Sequence, residues 1–261
     1  GIALAWHRAL SGMAWASMDD AIAAFRRGDF VLVMDSDDRE DECDLVWAAE
    51  TSTVEQMAFA IRQTTGIICV VASKSRLEQF GLHPATQQNT DANSTNFYVS
   101  TDYLPGTTTG CSAADRVATA RALCDLTQPA ESFSKPGHLF PLCANPGGVL
   151  ERPGHTESTF DLCRISGCTP VGLLAELMHD DGSMYHSQDS LEFARVHNIP
   201  IITVQQLIEY RKRHVLAEPV LARQTQQGPS TADASRPTYS QPPSQSSATR
   251  SSRSSQPESR L

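Results

Sequence analysis

Four polar stretches of the chain bring together side chains able to bind ions or move protons. The first, "DSDDREDECDL" (35–45), follows directly on the apolar run "FVLVM" and crowds Glu40, Asp44 and other carboxylates around Arg39. Like charges so close repel one another, so such a loop is favourable only against something positive: a metal ion, a substrate or a basic partner. The second, "TTTGCSAADR" (107–116), sets hydroxyls and a glycine before Ser112 and Asp115, a capping signature for a helix whose free N–H groups suit an anion. The third, "KPGHLFPL" (135–142), puts His138 between a Pro-Gly turn and an apolar run. The fourth, "LERPGHTEST" (150–159), gathers Arg152, His155 and Thr156 at another helix start. Singly, each has a bland reading as a capped helix, a packed histidine or a surface arginine. Together, two glycine-preceded helix starts, one beside an arginine, suit a phosphorylated ligand. The unbalanced carboxylate loop suits a hard divalent cation such as magnesium, with His155 able to add a nitrogen. A metal-assisted enzyme acting on a small phosphorylated substrate is the chemistry these residues describe.

Composition narrows the class. The 261 residues are 40% hydrophobic with a formal net charge of −9, and no basic stripe offsets that acidity, which argues against nucleic acid as the partner. No apolar run approaches the length of a membrane helix, and no signal peptide opens the sequence, so neither a membrane nor export is expected. Seven cysteines without a Cys-x-x-Cys pair speak against a structural zinc site and fit a reducing, cytoplasmic compartment. Neither a Walker loop nor a dinucleotide fingerprint is present.

The elements that must position these groups alternate along the chain. "SMDDAIAAFRRG" has a Ser17 cap and a Gly28 stop, so it reads as a helix. "STVEQMAFAIRQTTG" reads as a second, opened by a capping box from Ser52 to Glu55 with Val54, Met57, Ala58 and Ile61 on one face. "TESTFDLCRISG" reads as an amphipathic helix and "VQQLIEYRKRH" as a closing one. Strands are expected at "FVLVM", "GIICVVAS", "NFYVSTDY", "GLLAELM" and "IPIITV". Continuous apolar strands between helices predict an α+β fold, a single three-layer α/β/α-type domain with a mixed sheet covered on both faces, over residues 17–217. Residues 1–16 match nothing assignable, and residues 218–261 are a Ser/Gln/Pro-rich segment expected to be disordered.

"DSDDREDECDL", "GIICV", "TTTGCSAADR", "PGHLFPL", "GGVLERPGHTE" and "LLAELMHDDGSM" stand in the order seen in the 3,4-dihydroxy-2-butanone 4-phosphate synthase family, which the chain resembles over about residues 17–214. The resemblance implies conversion of D-ribulose 5-phosphate to L-3,4-dihydroxy-2-butanone 4-phosphate and formate in riboflavin biosynthesis. It implies dependence on magnesium, with manganese the alternative, and a homodimer with the active site at the subunit interface. Carried over residue by residue, it makes Glu40 and His155 metal ligands and puts Arg39 and Asp44 against the substrate. Arg152, Gly154 and Thr156, helped by Thr108, would hold the phosphate, and His138 and Glu176 would be catalytic. Asp37 and Cys69 fall near the site. Cys43 stands where many members carry a small residue such as glycine, so a redox-sensitive thiol beside the metal loop is an expectation here, next to that of a harmless substitution. By chemistry alone a magnesium-dependent phosphosugar isomerase or aldolase is the alternative, and formate as a product separates the two. The resemblance ends before residue 218, which implies a monofunctional enzyme.

Overall fold

The computed structural model of the chain describes residues 15–214. The unassigned N-terminal segment lies outside them except for its last two residues, and the Ser/Gln/Pro-rich tail lies outside them entirely. The first helix, α1 (Met18–Arg27), starts where the Ser17 hydroxyl accepts the Asp20 N–H at 3.1 Å and stops at Gly28 in the left-handed conformation. It is followed by β1 (Val31–Met34), β2 (Cys43–Ala48), α2 (Val54–Gln63), β3 (Cys69–Ser73), α3 (Lys74–Gln79) and β4 (Thr101–Tyr103). Then come α4 (Ala113–Ala122), β5 (Phe133–Ala144), α5 (His155–Ser166), β6 (Val171–Glu176), α6 (Ser187–His197), β7 (Ile201–Thr203) and α7 (Val204–Arg213).

The strands form one mixed sheet in the order β4-β5-β3-β6-β2-β1-β7. Every residue of β1 and β2 is buried, the mark of strands covered on both faces. Alternate side chains feed two cores. Val31, Val33, Val46, Val71 and Leu174 pack against α1, α5 and α7, whereas Leu32, Leu45, Trp47, Val70 and Leu173 pack under α2, α3, α4 and α6. This is the expected three-layer α/β/α arrangement. Among the described residues no helix is long and apolar enough to cross a membrane, and all seven cysteines are free.

Four local readings change. The acidic stretch ends in a strand, because β2 begins at Cys43 and pairs with both β1 and β6. The Pro-Gly turn before His138 lies inside β5, a 12-residue strand. The capping box of α2 is one residue later than expected: Thr53 accepts the Gln56 N–H at 3.2 Å and the Gln56 side chain accepts the Thr53 N–H at 3.0 Å. The buried face of that helix is accordingly Met57 and Ala60, with Val54 exposed. Finally, α5 is buried almost all round rather than amphipathic. Its two inward carboxylates are matched by arginines, Glu157 by Arg152 and Asp161 by Arg211 and Arg164.

Helix α5 carries His155, and its distance from the sheet is set by Gly172 of β6. A Cβ on Gly172 would overlap the Thr159 methyl and stand 3.0 Å from the Cys163 sulfur. Gly172→Ala is therefore expected to cost ~1–3 kcal/mol of stability by overpacking, read as a lower urea midpoint at unchanged slope. A midpoint equal to that of the wild type would contradict this packing.

Candidate active site

At the ends of β2 and β6 the register sets Asp44 directly opposite Glu176. Asp44 is 1% exposed, so its carboxylate has left water for a place beside another acid. The loop before β2 folds around Asp35, which accepts the Glu42 N–H at 3.0 Å, the Glu40 N–H at 3.3 Å and an Arg39 guanidinium N–H at 2.7 Å. That wrapping turns Glu40 inward, where its carboxylate also pairs with Arg39. Helix α5 begins at His155, whose Nδ1 lies 3.5 Å from both Glu40 and Asp44. Ligand atoms of Asp35, Glu40 and His155 all fall within 4.8 Å of one another, close enough to share one cation.

The electrostatics of this cluster set what it can hold. Contact with His155, aided by Arg39, holds the Glu40 carboxyl down to about 2. Burial pushes Asp44 up to about 7, with Glu176 and Glu40 adding to the shift and His155 opposing it. Burial disfavours charge on His155, yet Asp44 and Glu40 outweigh it and raise the imidazole to about 9. The protonated imidazole thus serves as the cation inside a nest of acids. Two buried atoms there, Asp44 Oδ1 and His155 Nε2, have no hydrogen-bond partner. An orphaned buried polar atom costs ~1–3 kcal/mol, and these two are satisfied together by a bound cation or a polar ligand. The residues present therefore fit a hard divalent ion.

Beside the acid nest lies the opposite arrangement. Gly154 caps α5 without any side-chain hydrogen bond, which leaves the first N–H groups of the helix open. A Cβ on Gly154 would meet Arg152 Nη1 at 2.6 Å and Arg39 Nη2 at 3.1 Å, so only glycine lets both guanidinium groups come this close. Arg152 is itself anchored. Nη1 donates to buried Glu157 at 2.6 Å, Nε and Nη2 donate to the Asn93 carbonyl, and Nη2 also donates to the Thr95 hydroxyl. The Asn93 amide in turn donates to Glu40 at 2.6 Å, so the 91–95 segment bridges the acidic and basic halves. A cavity of about 170 Å³ lies between them. Another cavity, of about 480 Å³ between α1 and α6, offers no such convergence, because its charged lining (Asp20, Arg27 and Arg195) is exposed.

Eight of the expected residues line the smaller cavity: Arg39, Glu40, Asp44, Cys69, Arg152, His155, Thr156 and Glu176. Glu176 is steadied by the Thr65 hydroxyl at 3.0 Å. Five expected residues do not line it: Asp37, Cys43, Thr108, His138 and Gly154, the last lying against the guanidinium groups of Arg152 and Arg39. Asp37 is exposed in the turn, and the acid that faces the cluster is Asp35. Thr108 donates its hydroxyl to Asp115 at 2.6 Å and its backbone N–H to the same carboxylate at 3.0 Å. His138 stands farther along the sheet, on β5 two residues before Phe140, and β3 separates that strand from β6 and Glu176. Cys43 requires a correction. It is fully buried on the opposite face of β2, and burial pushes its thiol well above the ordinary range, so an oxidant finds neither access nor a thiolate there. Sequence reasoning missed Asp35, Asn93 and Glu157. The only signal for Asp35 was its place at the strand end, and the other two had none.

Comparison with known proteins agrees with this arrangement. The family model for 3,4-dihydroxy-2-butanone 4-phosphate synthase matches residues 19–210. The synthase of that name from Cronobacter sakazakii is 46% identical over 202 residues, covering 77% of this chain and 93% of the relative. That of Erwinia tasmaniensis is 48% identical over 193 residues, covering 74% and 88%. Among solved structures, a 3,4-dihydroxy-2-butanone 4-phosphate synthase in complex with two magnesium ions is 36% identical with a TM-score of 0.74, covering 76% of this chain and 98% of its own. The Candida albicans synthase is 40% identical with a TM-score of 0.69, covering 75% and 97%. With the family match spanning the whole α/β/α domain and the acid nest, anion cradle and fold in agreement, the chain belongs to the 3,4-dihydroxy-2-butanone 4-phosphate synthase family.

Proposed function

We propose that this chain converts D-ribulose 5-phosphate to L-3,4-dihydroxy-2-butanone 4-phosphate and formate, using magnesium held by Glu40 and His155 with Asp35 close by. One observation carries the reading: a cation nest with two orphaned atoms and an uncapped helix N-terminus flanked by two guanidinium groups share a single small cavity. A sugar phosphate carries hydroxyls at one end and a dianion at the other, so it matches both halves in one orientation. The two products together contain every atom of the substrate, and no co-reactant is needed.

The α5 N–H groups, Thr156 and the last free N–H of Arg152 hold the phosphate, while Glu157 keeps that guanidinium in place. Arg39 and Asp44 meet the sugar oxygens. When bound, magnesium supplies positive charge that offsets the negative charge developing on the substrate's oxygens as a proton leaves the carbon beside the ketone. Glu176, fixed by Thr65, and His138 move protons, the kind of assistance worth ~10²–10⁴-fold per transfer. The protein works as a homodimer with the site at the interface. This is supported by His138 and Thr108 standing outside the cavity that holds the remaining groups, where a second copy brings them to it.

Purified protein with ribulose 5-phosphate and magnesium is expected to release formate, and His155→Ala to lose at least ~10–100-fold in metal affinity with partial rescue by excess magnesium. Formate release unaffected by a chelator would refute the metal assignment.

Because His155 holds a proton up to about pH 9, magnesium must displace that proton to bind. Apparent magnesium affinity is therefore expected to rise from pH 6 toward 9, by up to about tenfold per pH unit. Glu40, ionised above about pH 2, adds nothing to this slope, whereas Asp44, titrating near 7, steepens it around neutrality. Calorimetry in two buffers of different ionisation heat reads the released proton directly, and an affinity independent of pH would contradict the proton-for-metal exchange.

His138→Ala and Glu176→Ala, each inactive alone, are expected to regain activity when mixed, since one intact site then forms in the mixed dimer. No recovery, with exchange of subunits verified, would place the complete site within one subunit.

A further inference from the structure

The imidazole of His138 is not free to choose its proton. Asp102, at the middle of β4 and only 7% exposed, contacts it twice: Oδ1 accepts the His138 backbone N–H at 2.8 Å, and Oδ2 lies 2.7 Å from Nδ1. The His138 side chain is 44% exposed and that of Asp102 10%, so the ring reaches solvent from a buried anchor. The ladder between β4 and β5 breaks at this point. Thr101 pairs with Leu139, but its neighbour Asp102 pairs with Ser134, so residues 135–138 loop out between the two. Irregularities of this kind re-aim side chains beside active sites, and here the displaced segment ends on His138. Gly110, at φ +85, makes room for the arrangement, because a Cβ there would overlap the Asp102 carboxylate.

We propose that Asp102 is a positioning residue for proton transfer, fixing His138 as the tautomer protonated on Nδ1 so that Nε2 faces the substrate with a free lone pair. A carboxylate only accepts hydrogen bonds, so Nδ1 must donate and Nε2 is left as the acceptor. This deepens the proposed function and rests on its assignment of His138 to proton transfer. A purely structural reading is that Asp102 only ties down the looped-out segment through the backbone N–H. Asparagine separates the two roles. Its single oxygen must stay on the His138 backbone N–H, because the amide nitrogen there would set donor against donor. The amide NH₂ then faces Nδ1 and drives the ring to the opposite tautomer, whose Nε2 can give a proton but not take one.

Asp102→Asn is therefore expected to keep the melting temperature, the KM for ribulose 5-phosphate and the affinity for magnesium, while kcat falls ~10²-fold or more, the scale of one lost proton transfer. In ¹⁵N-histidine NMR spectra the His138 signal, identified by its loss in His138→Gln, is expected to show the proton on Nδ1 in the wild type and on Nε2 in Asp102→Asn. Wild-type kcat in Asp102→Asn, with His138→Gln slow, overturns the proposal and leaves the role of His138 standing. Full activity in His138→Gln removes that role and the proposal with it. Should Asp102→Asn fail to fold, the wild-type spectrum decides alone: a neutral His138 protonated on Nε2 overturns the proposal.

Discussion

Asp44 and Glu176 face one another across an antiparallel pair of central strands, and much of the molecule is arranged around the repulsion between them. Like charges directly opposite in a sheet are destabilising, and burial of Asp44 removes the water that would screen them. Ionising both acids there is favoured by a nearby cation. Among the described residues the buried cation against Asp44 is the first residue of α5, His155. That helix must therefore begin at the strand ends and lie close against the sheet. A glycine in β6 and hydroxyl-bearing residues along α5 make the approach feasible, since the Ser158 and Thr159 hydroxyls donate back to the Gly154 and His155 carbonyls. The same demand makes the helix N-terminus open toward the cavity, which is what an anion requires. Cation nest and anion cradle are thus two consequences of one helix placed by one pair of acids.

The parts legible in the sequence were those whose chemistry is concentrated locally. Arg39, Glu40 and Asp44 in one loop and Arg152, His155 and Thr156 at one helix start are each adjacent in the chain, and the structure brings the two groups into one cavity. The buried strands and the layered fold were legible for a similar reason, because continuous apolar runs admit few other uses. What was hidden depended on which way a side chain points. Cys43 and Asp44 are neighbours, yet alternation along β2 sends the thiol into the α2-side core and the carboxylate toward α5. Asp35 and Asp37 look interchangeable in a run of acids, but only the former lies at the strand end about which the loop folds. Glu157 and Asp161 read as the polar face of an amphipathic helix. Arg152 lies five residues from Glu157, and Asp161 is shared by Arg164 one turn on and Arg211 fifty residues away, so the spacing alone does not show that these pairs are buried.

Arg152 illustrates how buried charge is turned to positional use. A guanidinium free to swing in water binds phosphate weakly, because ordering it costs side-chain entropy. Here Glu157 and the 91–95 segment fix four of its donors, so most of the ordering has already occurred on folding. The carboxylate that anchors it is 1% exposed, and a buried ion pair of this kind is weak evidence for stability but good evidence of a fixed geometry. Asp35 performs the same service for Arg39 from the other side.

The two histidines differ in the solvent around them, and that difference matches the work proposed for each. His155 sits buried among acids, where charge is strongly felt, a setting suited to holding an ion. His138 stands on β5 with its ring half in solvent and its Nδ1 against a buried carboxylate. A group that must give up or regain a proton in every turnover needs a route to water, and a group that must not lose its ion needs to be shut off from it.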